Sequence, residues 1–204
     1  MVELWLLRHG ATEWALQGRH TGSTDLPLLP EGEEEARNLA PVLAQQPFGA
    51  VLVSPRLRAQ RTCELAGLAA QAQTCADLQE WDYGCYEGIT TADIRRTIPD
   101  WTVFSHGCPD GENAAAVQQR CDRVIALAET LATGPSSGGP IKVALFAHGH
   151  ILRSLAGTWL GLGVGGGALL SLGTGTVSVL GHERQQPVIL RWNAPVVSAE
   201  RSTP

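Results

Sequence analysis

Arg8-His9-Gly10-Ala11-Thr12 sets an arginine, a histidine and a glycine side by side directly after an apolar run, Val2-Glu3-Leu4-Trp5-Leu6-Leu7. The run reads as a buried strand. The end of a strand in an open α/β sheet is where a reactive group is both fixed and reachable. Arg8 offers a planar fork of donors that matches phosphate. His9 offers a ring nitrogen that is nucleophilic near neutral pH, and Gly10 lets the backbone approach a ligand closely. The chemistry these types suit is attack by His9 on a phosphoryl group that Arg8 helps to hold.

Three further stretches carry groups such a reaction needs. Ser54-Pro55-Arg56-Leu57-Arg58-Ala59-Gln60-Arg61-Thr62 follows the apolar Ala50-Val51-Leu52-Val53. Phe146-Ala147-His148-Gly149-His150 closes the apolar run from Ile141, with Arg153 one turn on. Between them lies the irregular, acidic and aromatic loop 77–91, which contains Glu80. A phosphoryl group in transfer spreads negative charge over its equatorial oxygens, so positive charge and positioning dominate catalysis. Arg8, Arg58 and His148 are the groups expected to supply charge. The N-terminus of the helix after His148, with Gly149 ahead of it, is expected to add backbone donors. The departing alkoxide needs a proton; Glu80 is the candidate acid, because its loop is acidic without being a helix face.

The elements that must position these groups alternate. Helices are expected from Pro30 to about Gln46, with Pro41 kinking or breaking it; from Ser54-Pro55, as N-cap and first residue, to about Ala70; and over Ala92–Ile98. The longest should begin at Asp110-Gly111-Glu112, its stripe being Val117, Cys121, Val124, Ala128 and Leu131; another should run from Ile151 to about Leu162, stopped by the glycines of 163–167. Strands are expected at 2–7, 50–53, 73–75 and 141–147, with a hairpin near 176–180 and 188–192. Strands alternating with helices imply a three-layer α/β/α sandwich on a mostly parallel sheet. One domain over 1–194, a Gly/Ser/Pro linker at 134–140 inside it and a loose tail over 195–204 complete the expectation.

Composition narrows the partners. The chain has 204 residues, a formal net charge of −5 and 44% hydrophobic residues. There is no basic run, which argues against nucleic acid and against a membrane surface, and no apolar stretch of membrane-spanning length is present. A small anionic ligand remains compatible, since a few arginines can make a local positive pocket; a homo-oligomer is left open. The five cysteines form no CxxC pair and read as reduced thiols of a cytoplasmic protein, not as a disulfide frame or a zinc site. No metal and no cofactor is expected. Nor is a secretory leader, because the N-terminus lacks a basic region and cleavage would remove Arg8-His9.

Together the four stretches, in order and over about residues 4 to 192, resemble the histidine phosphatase superfamily, which has the phosphoglycerate-mutase-like fold. The resemblance makes His9 the phosphorylated nucleophile and assigns the arginine before it to Arg8. It singles out Arg58 among the three arginines of its stretch, maps the late histidine to His148, and gives Glu80 the role of proton donor and acceptor. Within the superfamily, His20-Thr21-Gly22-Ser23-Thr24-Asp25, Glu80-Trp81-Asp82-Tyr83-Gly84 and His148-Gly149-His150-Ile151-Leu152-Arg153 are similar to the branch that holds sedoheptulose-1,7-bisphosphatase and related bacterial acid phosphatases. That similarity implies substrate contacts from Thr21, Gly22, Tyr83 and Arg153. Some sugar phosphatases have tyrosine where this chain has His20. The mutases of the superfamily carry an arginine after the catalytic glutamate; here Trp81 stands there, and Ala15 replaces a common asparagine. These departures favour phosphatase chemistry on a small phosphate ester over the two alternatives, a phosphoglycerate mutase and a non-catalytic phospho-ligand binder.

Overall fold

Alternation within three strands sorts the core into two halves. The computed structural model describes residues 1–132 and 139–196. In β1 (Val2–Arg8), Val2, Leu4 and Leu6 face one hydrophobic cluster while Trp5 and Leu7 face another. The same split runs through β2 (Phe48–Val53) and β4 (Ile141–Ala147). Side chains of a strand alternate between the two faces of a sheet, so this pattern requires a sheet covered on both sides. A slip of one residue would exchange the two sets, which fixes the register.

The sheet has the order β3-β2-β4-β1-β5-β6. β3 (Ala72–Thr74), β2, β4 and β1 are parallel to one another; β5 (Thr176–Glu183) is antiparallel to β1, and β6 (Gln186–Pro195) antiparallel to β5. Two helices cover one face: α6 (Ala114–Leu131), with Val117, Cys121, Val124 and Ala128, and α7 (Gly149–Trp159), with Ile151, Leu155 and Trp159. The other face is covered by α2 (Pro30–Leu43), through Leu39 and Leu43, and α3 (Leu57–Leu65), through Ala59 and Cys63. The expected α/β architecture with helices on both faces is therefore the observed one. Short helices α1 (Glu13–Leu16), α4 (Thr91–Ile94) and α5 (Val103–His106) sit in the connections at the site end. No helix among the described residues is long and apolar enough to cross a membrane.

Several boundaries differ from the sequence expectation for identifiable reasons. α2 runs through Pro41 unbroken, ending two residues later, so only the bond to the Arg37 carbonyl is forgone. α3 and α7 end earlier than expected because Gly67 and Gly161, at φ 80° and 74°, close each helix. Leu68 N–H reaches the Cys63 carbonyl and Leu162 N–H the Gly157 carbonyl, the Schellman pattern. Asp110-Gly111-Glu112 is a turn and not a helix start: Asp110 has φ 56°, Glu112 N–H donates to the Asp82 carbonyl, and Asn113 caps α6 instead. The helix expected over 92–98 is the shorter α4, and α5 was not anticipated. β6 continues to Pro195. Apart from Gly139 and Pro140, the expected linker lies outside the described residues, as does the tail beyond 196.

One backbone contact ties α2 to the first loop. A Cβ on Gly10 would lie 2.0 Å from the Gly32 carbonyl oxygen, and one on Gly32 would lie 2.2 Å from that of Ala11. Neither neighbour is a side chain that can swing away. Gly32→Ala is expected to lower unfolding stability by about 1–3 kcal/mol. Gly165→Ala, at a position with nothing within 4 Å, should stay within about 0.5 kcal/mol of the parent. Urea midpoints measure both, and equal midpoints for the two variants would contradict the contact.

Candidate active site

The parallel ladder does not stop where the strands do. His9 N–H donates to the Ala147 carbonyl at 3.0 Å, and Ser54 N–H to the Phe146 carbonyl at 2.9 Å. Three loops that are far apart in sequence are thereby pinned at one sheet edge.

His9 is 5% exposed. Its Nδ1 lies 2.8 Å from the Gly10 carbonyl oxygen, which can only accept. Nδ1 therefore carries the proton and Nε2 holds a free lone pair. Burial, followed by the charges of Arg58 and Arg8, pushes the His9 imidazolium well below its ordinary range, so the ring is neutral. The loop is held from behind: Gly10 N–H donates to Thr62 Oγ1 at 3.1 Å, and Ala11 N–H to Glu35 Oε2 at 2.8 Å. Glu35 also accepts from the Thr174 hydroxyl, which ties the loop before β5 to the His9 loop. Nothing in the sequence pattern distinguished Glu35 from the other acids of α2.

Arg8 donates through Nη1 to the Leu172 carbonyl, while its buried Nε has no partner among the described residues. A buried donor left open is costly unless a ligand fills it. Arg58 is fully buried and works differently. It donates to the carbonyls of Thr24 (3.0 Å), Thr21 (2.9 Å) and Gly22 (3.3 Å), and through Nε to His148 Nδ1 (3.1 Å). It thus holds down the 21–24 loop and orients His148. With Nδ1 accepting, the His148 proton lies on Nε2, 2.7 Å from Ser54 Oγ. Burial and the neighbouring Arg58 push His148 well down, and its ring centroid lies 5.2 Å from that of His9. The expectation that His148 supplies positive charge gives way: here it is neutral, with both nitrogens engaged. Ser54 is likewise not an N-cap, because its hydroxyl serves His148 and the Arg56 N–H; the first amide of α3, Leu57 N–H, is taken by Asp25 instead.

Glu80, 8% exposed, sits against the N-terminus of α7. Its Oε1 accepts from Trp81 N–H and Ile151 N–H, and its Oε2 from His150 N–H, all at 2.9 Å. Two of the helix amides expected to face phosphate are therefore engaged by Glu80, leaving Gly149 N–H. Since Oε1 already accepts twice, Oε2 is the oxygen with acceptor capacity to spare.

A cavity of about 220 Å³ brings Arg8, His9, Glu80, Tyr83, Gly149 and Arg153 together. Thr21 lines it as well, with Arg19, His20, Thr91 and His150. Gly22 does not: its N–H is held by Glu87 at 3.0 Å, and it borders a neighbouring cavity on the other side of Glu80. Tyr83 contributes a ring, because its hydroxyl is committed to His150 Nδ1 at 2.6 Å. His20 stacks on Tyr83 (centroids 4.6 Å apart) and meets Trp101 edge-on (5.3 Å). The HGH spacing at 148–150 is the signal that places His150 on the first turn of α7; Thr91 and Arg19 carried none. Trp81 is fully buried, its indole N–H on the Glu112 carbonyl, and the Glu112 carboxylate holds Arg120 and the Asp82 amide. Among the described residues no three His, Cys, Asp or Glu side chains gather as a metal ion would need.

This fold with a histidine and arginine at the end of the first strand defines a class, and comparison with known proteins agrees. The sequence profile of the histidine phosphatase superfamily (branch 1) matches residues 4–195, and the chain belongs to that family. It is 39% identical to an acid phosphatase of Mycobacterium tuberculosis over 183 residues, spanning 88% of this chain and 86% of the relative. It is 36% identical to the sedoheptulose 1,7-bisphosphatase of Saccharomyces cerevisiae, spanning 78% and 68% respectively. The solved structure of the Mycobacterium tuberculosis open reading frame Rv3214 superposes with a TM-score of 0.87 at 35% identity, covering 96% of this chain and 98% of that one. The chain is accordingly an enzyme of the phosphatase class.

The buried imidazoles make stability depend on pH. Burial lowers His20 to about 4 from 6.5, and His9, His148 and His150 are also lowered. Between those values the unfolded chain binds more protons than the folded one. Stability is therefore full above about pH 6.5 and falls as pH drops towards 4. His20→Phe keeps a ring in the stack and should remove about one proton from this slope, or about 1.4 kcal/mol per pH unit. Urea midpoints measured from pH 7 to 4.5 test it; an unchanged slope would contradict a neutral, buried His20.

Proposed function

We propose that the protein is a metal-independent phosphatase that hydrolyses small phosphomonoesters, sugar phosphates such as sedoheptulose 1,7-bisphosphate among them, through a phosphohistidine. The observation that carries this reading is His9: its proton is tied to the Gly10 carbonyl, which leaves the lone pair of Nε2 free, and it lines one cavity with Arg8, whose buried Nε has no partner among the described residues.

In the first half-reaction Nε2 of His9 attacks phosphorus, forming the N–P bond as the P–O bond to the alcohol breaks. The alkoxide takes the proton of the Glu80 carboxylic acid, carried on Oε2. In the second, Glu80 carboxylate takes a proton from water, the hydroxide oxygen bonds to phosphorus, and the N–P bond breaks. Inorganic phosphate leaves and Glu80 is again the acid. Arg8 neutralises the equatorial oxygens throughout, and Gly149 N–H adds a donor. Arg58 acts through the loop and through His148. The buried Trp81 presents no cation where a mutase would hold a substrate carboxylate, which supports hydrolysis over phosphoryl return. The same reading puts the protein in the cytosol, where its free thiols, four of them buried, stay reduced.

His9→Ala should lower phosphate release by at least about a thousandfold, and dialysis against EDTA should leave activity unchanged. Glu80→Gln should slow alkyl phosphates by about 100-fold or more while sparing 4-nitrophenyl phosphate, whose oxide leaves without help. Equal slowing of both esters would remove Glu80 as the acid, and loss of activity on chelation would contradict the metal-free pathway.

A further inference from the structure

Glu87 belongs to the same acidic loop as Glu80, but it does not line the His9 cavity and takes no part in the steps above. Backbone pairing lays it beside the 21–24 loop: His20 N–H donates to the Ile89 carbonyl at 3.0 Å, and Gly88 N–H to the His20 carbonyl at 2.8 Å. There the carboxylate holds main-chain amides. Both of its oxygens accept from Gly22 N–H at 3.0 Å, and Oε1 also accepts from Thr24 N–H at 3.0 Å.

Arg58 grips the same loop by its carbonyls, those of Thr21, Gly22 and Thr24. The Thr21 carbonyl and Gly22 N–H are the two ends of one planar peptide group. A carboxylate therefore sits on its donor end and a guanidinium on its acceptor end. A chain of hydrogen bonds between opposite charges polarises the peptide in its middle and strengthens both contacts. Gly22 is also packed closely: a Cβ there would lie 2.6 Å from the Trp81 carbonyl oxygen and 2.9 Å from Glu87 Oε2. Glu87 thus faces Arg58 across a single peptide. The guanidinium on the other side donates through Nε to His148 Nδ1 at 3.1 Å, and Thr21, on the same peptide, lines the His9 cavity.

We propose that Glu87 is a positioning residue of this site. Through the peptide between Thr21 and Gly22 it fixes the Arg58 guanidinium, and through Arg58 it fixes the ring of His148. The kinetic consequence rests on the phosphatase reading above; the position of the ring is observable without turnover.

The test is a double-mutant cycle of Glu87→Ala with Arg58→Lys, which keeps a charge at 58 but loses the fork. The substrate is 4-nitrophenyl phosphate, at a temperature where urea curves show each variant folded. Glu87→Ala should lower kcat by about tenfold or more in the parent and by less than about twofold in Arg58→Lys. Ring-nitrogen NMR of protein labelled with ¹⁵N-histidine reads the same link without substrate. His148 should carry its proton on Nε2 in the parent. Glu87→Ala should shift the His148 ring nitrogens and leave in place those of His182, which packs on Trp159. Should Glu87→Ala or Arg58→Lys fail to fold, Glu87→Asp, whose carboxylate is one methylene short of the amides, is read by the same ring signals. Equal loss of kcat in both backgrounds, an unchanged kcat, or an unmoved His148 ring overturns the proposal while the phosphatase reading stands. Wild-type protein that releases no phosphate overturns that reading, and the ring signals still decide whether Glu87 positions His148.

Discussion

Two backbone hydrogen bonds hold the site together: His9 N–H to the Ala147 carbonyl and Ser54 N–H to the Phe146 carbonyl. Each extends the parallel pairing of β4 with β1 and β2 one residue beyond the strands. The consequence is geometric. Arg8 and His9, Ser54 with Arg58 shortly after it, and His148 all depart from one edge, at spacings set by a ladder whose strands lie about 4.8 Å apart. The hydrophobic alternation that fixes the register of β1, β2 and β4 therefore also fixes where His9 stands. A shift of register would bury different residues and misplace His9 in the same step.

On that frame the site accumulates positive charge inside an acidic protein. Arg8, Arg58 and Arg153 are desolvated, and among the described residues none pairs with a carboxylate; burial lowers the pKa of each. Carbonyl groups of the 21–24 loop, Leu172 and Gly167 take their donors instead. A carbonyl fixes an arginine without cancelling its charge. The surrounding imidazoles stay neutral in the same field: His9 keeps a lone pair on Nε2, and His148 has both ring nitrogens hydrogen-bonded. Glu80 has the opposite arrangement: three backbone donors orient a carboxylate at the start of α7 and leave one oxygen with capacity to accept a proton. The field suits an arriving phosphate dianion and is costly without one, as expected where function competes with stability.

The sequence carried the layers and the phosphate end of the site well, and for a reason. Strand alternation, the α6 stripe and the motifs at strand ends are local signals, and the parallel sheet converts local position into a shared edge. Arg8, His9, Glu80, Gly149 and His148 come together as that logic requires. The misreadings are long-range. Ser54 has the form of an N-cap, yet its hydroxyl is claimed by His148, 94 positions away. Asp110-Gly111-Glu112 looks like a helix start, yet it packs as a turn on the Glu80 loop. Gly22 and Thr21 are adjacent in sequence, but Glu87 turns the Gly22 amide away from His9.

The central claim is that Nε2 of His9 becomes phosphorylated while Nδ1 remains on the Gly10 carbonyl. Rapid denaturation in base during turnover of a phosphate ester, followed by mass spectrometry and ³¹P NMR of the protein, reads both the residue and the ring nitrogen. A phosphoryl group on His9, at Nε2 and absent from His9→Ala, is the predicted result. A phosphoryl group at Nδ1 or on another side chain, or turnover with no phosphorylated protein at any quench time, would contradict it.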